Sequence, residues 1–166
     1  MASSFINHEQ ARLNLDREVK GRSFAEVSAA AKKVWDEQMG RIKVEGGTEE
    51  QQKTFYSCLY RTLLFPREFY EFDKNEAPVY YSPYDGQIHN GYMYTDNGFW
   101  DTFRAVHPLF TLVYPEVSER IMQSIVNAYS ESGFMPEWAS PGHRGCMIGN
   151  NSISLLTDAW MKGIRT

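Results

Sequence analysis

The chain has no long apolar run, no basic cluster and almost no cysteine. Nothing in its 166 residues approaches the roughly 20 consecutive apolar positions of a membrane-spanning helix. Lys20, Arg22, Lys32 and Lys33 are scattered among acidic neighbours and the net charge is −4, so the electrostatic footprint of a nucleic-acid binder is absent. Cys58 and Cys146 are the only cysteines and form no CxxC pair. Cys58 falls in a helical pattern and reads as a small buried apolar residue, while Cys146 sits in a glycine-rich loop. A bridge between them has no support in the spacing. No HxH, HExxH or Asp/Asn-rich calcium loop occurs, so no self-contained metal site is expected. GxSxG, P-loop and GxGxxG patterns are missing too. The absence of a short exact repeat argues against a tetratricopeptide-type solenoid. No signal peptide opens the chain, and both ends read as cut, so the expectation is a piece of a larger protein.

Aromatic residues are abundant instead. Ten Tyr, ten Phe and four Trp make up 14% of the chain, and 42% of it is hydrophobic, which places it among globular domains rather than disordered ones. Many of these rings fall in loops.

Three helix starts are written in cap chemistry. Asn7 precedes Gln10 by three positions, Ser23 precedes Glu26, and Thr48 precedes Gln51. The helices they predict run to about Lys20, to about Gly40, and to Pro66, which cannot continue a helix. Arg41 to Glu45 reads as a short extended link. Residues 67–95 interleave aromatics with Pro78, Pro83, Asp85-Gly86 and Asn90-Gly91, the pattern of an irregular excursion with one or two short hairpins. A fourth helix is predicted over about 98–113, kinked near Val106-His107 by Pro108, with His107 as a residue of that break. A fifth starts at Pro115 and stops at Gly133, and a sixth starts near Asn151. His8 and His89 read as surface positions. The fold class expected is mainly all-α: antiparallel helical hairpins forming about half of an (α/α)6 toroid, with a loop and short-hairpin insertion at about 67–95.

Two loops carry the chemistry. In Tyr94-Thr-Asp-Asn-Gly-Phe-Trp-Asp-Thr-Phe-Arg104, turn residues run straight into a helical pattern. Trp100 and Asp101 then fall in the first helical turn. An indole can cover the apolar face of a sugar ring while a carboxylate accepts from adjacent hydroxyls. The bland alternative makes Trp100 a core ring and Asp101 a dipole-favoured charge. Asp96 is explained equally well as an N-cap. The second loop, Gly133-Phe-Met-Pro-Glu-Trp-Ala-Ser-Pro-Gly-His-Arg144, holds Glu137 and Trp138 between two prolines, then His143 and Arg144. Glu137 reads either as a site carboxylate or as an acceptor that locks the loop. Arg144 offers a donor fork to hydroxyls or a structural bridge to Asp101 or Glu137. Together the loops predict one carbohydrate-binding mouth.

Long stretches resemble glycoside hydrolase family 92: Glu45-Gly-Gly-Thr-Glu-Glu-Gln51, Leu59-Tyr-Arg-Thr62, Phe65-Pro-Arg67, Tyr94 to Ala105, Tyr114-Pro-Glu116 and Pro136 to Arg144. These are calcium-dependent, inverting exo-α-mannosidases of bacterial glycan degradation, in which a β-sandwich precedes an (α/α)6 barrel. The resemblance implies that residues 1–6 are the tail of the connection from the sandwich and residues 7–166 the first half of the barrel. It places the general acid, the base carboxylates and most calcium ligands further along than Thr166, so none is assigned here. This segment would supply part of the sugar-recognition wall, with Trp100, Asp101, Asp96, Glu137, Trp138, His143 and Arg144 as candidates. Expected partners are a mannose-containing glycan and the rest of the polypeptide, with self-association of the isolated segment. A secreted, periplasmic or cell-surface location in bacteria follows from the resemblance alone. The rival readings are a trehalase- or glucosidase-like toroid enzyme and a non-catalytic helical module that binds glycans or protein.

Overall fold

A computed structural model describes residues 1–165. The chain separates into two compact units, Met1–Leu64 and Phe65–Thr166.

The first unit is helical. Helix α1 (His8–Glu18) begins where the Asn7 side chain accepts the Gln10 amide. Helices α2 (Phe24–Met39) and α3 (Glu49–Thr62) each start with a complete capping box, at Ser23/Glu26 and Thr48/Gln51. Each box satisfies two amides that no helical carbonyl can reach. The link between α2 and α3 is held by Tyr56, whose hydroxyl donates to the Ile42 carbonyl and accepts from the Val44 amide. Helices α1 and α2 contain no buried residue, and Leu59 is the one buried position on α3. Cys58, beside it, is exposed. The helical pattern placed Cys58 on an apolar face, but that face has no cover among the described residues.

The second unit begins with the excursion. Strands β1 (Arg67–Glu68), β2 (Glu71–Phe72), β3 (Pro78–Tyr81), β4 (Ile88–Asn90) and β5 (Tyr94–Thr95) form two antiparallel sheets, β2-β3-β4 and β1-β5. Strand β6 (Asn97–Gly98) pairs with β7 (Trp138–Ala139) in a third sheet. Four helices complete the unit: α4 (Phe99–Thr102), α5 (Val106–Val113), α6 (Pro115–Ser132) and α7 (Asn151–Met161). The mainly all-α expectation holds in part: strands β1 to β5 fall in the short-hairpin insertion expected at about 67–95, and the β6–β7 pair was not expected. The described residues are about half helical, with seven helices and three small sheets.

The predicted fourth helix is two helices, and the break lies at Phe103–Ala105 rather than at His107. Pro108 occupies the first turn of α5, where its missing amide would have no helical partner anyway. His107 is not a break residue but a buried one, 1% exposed.

Helices α5, α6 and α7 pack on one another around Phe110, Tyr114, Ile121, Met122, Ile125, Leu155 and Ala159. Each large apolar side chain buried there contributes about 1.5–3 kcal/mol. A polar face of α6 holds the excursion. Ser124 accepts the Tyr94 amide at 2.8 Å, Asn127 donates to the Tyr92 carbonyl at 3.1 Å, and Glu131 accepts from the hydroxyls of Tyr80 and Ser82. These three residues recur at i, i+3 and i+7, which is one helical face.

Candidate functional site

The two chemistry-bearing loops meet through their backbones. Gly98 lies opposite Trp138 and Asn97 opposite Ala139, and the Phe99 amide points at the Glu137 carbonyl at 3.4 Å. Residues some forty positions apart thereby share one small sheet.

Gly98 is required for a close approach. A Cβ there would lie 2.6 Å from Asp101 Oδ2 and 3.5 Å from the Trp138 ring. Asp101 and Trp138 are therefore neighbours across Gly98. Trp100 and Asp101 sit in the first turn of α4 and both face solvent, Trp100 at 44% exposure. Helix α4 is a single turn, so its dipole gives little reason for Asp101. The Asp101 and Glu137 carboxylates make no hydrogen bond or ion pair with any other described residue. Neither bridges to Arg144, and Glu137 does not lock its loop with its side chain. The Arg104 guanidinium covers the Trp100 ring at 4.5 Å and donates to the Trp100 carbonyl at 2.6 Å. It fixes one face of the indole and leaves a broad ring exposed.

Asp96 is not an N-cap; Gly98 takes that position. Asp96 adopts φ +60. Its carboxylate pairs with Arg67 at 2.8 Å and accepts from the Ser140 hydroxyl at 2.8 Å. It ties β1 and the second loop to the start of the first. His143 and Arg144 also serve the loop. His143 Nε2 meets the Ser132 hydroxyl at 2.8 Å and its ring abuts Tyr84, while Arg144 sends Nε to the Ser140 carbonyl at 2.8 Å. Gly142, at φ +73, passes so close to the Pro83 carbonyl that a Cβ would sit 2.9 Å from it. The structure thus brings Asp96, Trp100, Asp101, Glu137 and Trp138 into one region and commits His143 and Arg144 to holding it.

Beneath the loops lies a buried network that sequence reading missed. Asn97 Nδ2 donates to His107 Nε2 at 3.0 Å, and Asn97 Oδ1 accepts from Thr102 at 3.1 Å. Burial pushes the His107 imidazole down to about 4, which keeps it neutral and able to accept. His107 Nδ1 has no partner among the described residues. The signal was present as a histidine on the apolar face of a helical pattern.

The described residues hold a single group of three His, Cys, Asp or Glu donors close enough for a metal: Asp85, His89 and Glu131. His89, read as a surface position, is partly buried and pairs with Asp85 at 2.8 Å. An imidazole donor does not suit calcium, which takes oxygen ligands. No calcium ligand is assigned to this chain.

Residues 10–166 match the glycosyl hydrolase family 92 catalytic domain, and the chain belongs to that family. It is similar over 98% of its length to a family GH92 inverting mannosidase from Bacteroides thetaiotaomicron VPI-5482, at 73% identity and a TM-score of 0.96, covering 22% of that chain. A family GH92 α-mannosidase of Bacteroides thetaiotaomicron in complex with mannoimidazole matches 98% of the chain at 30% identity and a TM-score of 0.88, over 21% of its own length. An uncharacterized secreted glycosidase of Arthroderma benhamiae is 25% identical over 166 residues, 97% of this chain and 17% of that protein. The chain thus spans about a fifth of the length of these relatives.

Proposed function

We propose that this chain forms part of the sugar-recognition wall of an α-mannosidase that removes terminal α-linked mannose from glycans by inverting, calcium-assisted hydrolysis. It works within a longer family 92 polypeptide, in which residues 1–6 end a preceding connection and residues 7–166 begin an (α/α)6 barrel. The observation that carries the reading is the pairing of Gly98 with Trp138, which sets an exposed Trp-Asp turn beside a Glu-Trp loop whose carboxylates are unpaired.

Inverting hydrolysis uses one carboxylic acid to protonate the leaving oxygen and a second carboxylate to activate water, about 6.5–9.5 Å apart. Neither role is given to Asp101 or Glu137. Asp101 accepts hydrogen bonds from ring hydroxyls, and Trp100 and Trp138 offer apolar ring faces. Asp96, His143 and Arg144 hold the loops in place. Positioning of this kind raises reactivity by fixing the sugar against acid and base groups supplied elsewhere. The calcium ligands likewise lie outside these residues. The name of the Arthroderma relative supports a secreted location.

The test is hydrolysis of α-mannosides by a family-length protein carrying this segment, with the first-formed anomer read by NMR. The expected outcome is β-mannose as first product, with activity lost to a chelator and restored by calcium. Release of α-mannose, turnover of glucosides alone, or binding without turnover would each contradict it.

A further inference from the structure

The Asp85–His89–Glu131 group plays no part in the reading above. Its ligand-type atoms, one from each residue, all lie within 4.8 Å of one another. We infer that it is a divalent transition-metal site of the zinc class, with a structural role. The metal would clamp the β3–β4 hairpin to the C-terminal end of α6.

Donor type sets the class. One imidazole nitrogen and two carboxylate oxygens suit zinc, cobalt or nickel rather than calcium or magnesium. The charges agree. Two carboxylates face one histidine, and no lysine or arginine pairs with either carboxylate among the described residues. A cation is the missing counter-charge.

The surroundings are those of oriented ligands. Glu131 accepts from the hydroxyls of Tyr80 and Ser82, which are 1% and 0% exposed. Asp85 Oδ1 accepts the Gln87 amide at 2.8 Å, leaving Oδ2 for His89. The His89 ring packs on Tyr80 with centroids 5.7 Å apart. Each carboxylate is thus oriented by hydrogen bonds from a second group, as ligating carboxylates are, and the His89 ring is held by packing. Tetrahedral zinc with ligands at its usual distances spaces them about 3.4 Å apart. The His89–Asp85 contact of 2.8 Å is a hydrogen bond, so metal entry displaces its proton and opens the pair by roughly half an ångström, within reach of side-chain rotation. Glu131 needs to close by up to about 1.4 Å from a separation of at most 4.8 Å.

Zinc chloride titrated into the 166-residue chain, followed by calorimetry, should show one saturable equivalent and a raised Tm. His89→Gln and Glu131→Gln should each weaken binding at least about tenfold, the effect reported for less direct ligand supports. His8→Ala, on the exposed start of α1, should leave it unchanged. Calcium should not compete. X-ray absorption at the zinc edge of the unmutated chain should show one imidazole nitrogen with oxygen donors, which covers the case of variants that fail to fold. No saturable binding, binding indifferent to His89→Gln, or a sulfur or multi-imidazole environment from Cys58, Cys146, His8 or His143 would overturn the assignment.

Discussion

Gly98 is the residue on which the site geometry turns. Its backbone angles are open to any residue, so the constraint is space: Asp101 Oδ2 occupies the room a Cβ would need. The obstructing atom ends a flexible side chain. Gly98→Ala should therefore cost little stability, within about 1 kcal/mol, yet swing Asp101 away from Trp138. In a family-length enzyme we expect an unchanged Tm with a clear fall in kcat/KM. A lower Tm with intact kcat/KM would make Gly98 a folding residue only. His107 makes a second residue-scale prediction. Its imidazole titrates at 6.5 when unfolded and at about 4 when folded, so the unfolded chain binds a proton first as pH falls. The folded-state pKa of this base is depressed, so its contribution is complete above pH 6.5 and declines toward pH 4. Over that window the loss amounts to about 3 kcal/mol. Denaturant unfolding at pH 7 and pH 4.5 should show it, and His107→Gln should remove most of that slope.

At the scale of elements, what was legible was local. Ser23/Glu26 and Thr48/Gln51 announce their helices because cap and amide lie within one turn. The turn signals between 67 and 95 announce a hairpin excursion for the same reason. The join between β6 and β7 is illegible, because pairing across forty residues leaves no periodicity in either segment. Cys58 was misplaced because burial depends on a neighbour, not on spacing along α3. Asp96 was misplaced by one turn of geometry: its φ of +60 carries the chain past it and gives the cap position to Gly98. The Ser124–Asn127–Glu131 face was not legible, because α6 also carries Glu116, Glu119, Arg120, Gln123 and Ser130, and nothing in the spacing says which of its polar residues meet the excursion. Ser124→Ala tests its weight. The Tyr94 amide is buried and would lose its acceptor, at a cost of about 1–3 kcal/mol. Denaturant unfolding measures this directly. A change below about 0.5 kcal/mol would mean that the excursion does not depend on α6.

On the scale of the whole molecule, apolar surface is the outstanding feature. Phe24 is 89% exposed, Leu112 80% and Met161 79%, with Val34, Ile153 and Trp160 also open. Helices that bury nothing on one side of a layered fold call for a further layer. The 166-residue chain in isolation should self-associate as its concentration rises, as light scattering would show, and should lack mannosidase activity. A compact monomer at high concentration, or turnover by this chain alone, would contradict that.

The central claim is that Asp101 belongs to a sugar-recognition wall, and kcat/KM on an α-mannoside tests it most directly. In the family-length enzyme, Asp101→Ala should lower kcat/KM by roughly tenfold to a hundredfold, the loss of a charge-assisted hydrogen bond worth about 1.5–3 kcal/mol. Glu9→Ala and Glu49→Ala, which remove helix-start charges on α1 and α3, should leave it near the unmutated value. An Asp101→Ala enzyme with unaltered kcat/KM and a lowered Tm would show that Asp101 is structural and that the account of the wall is wrong.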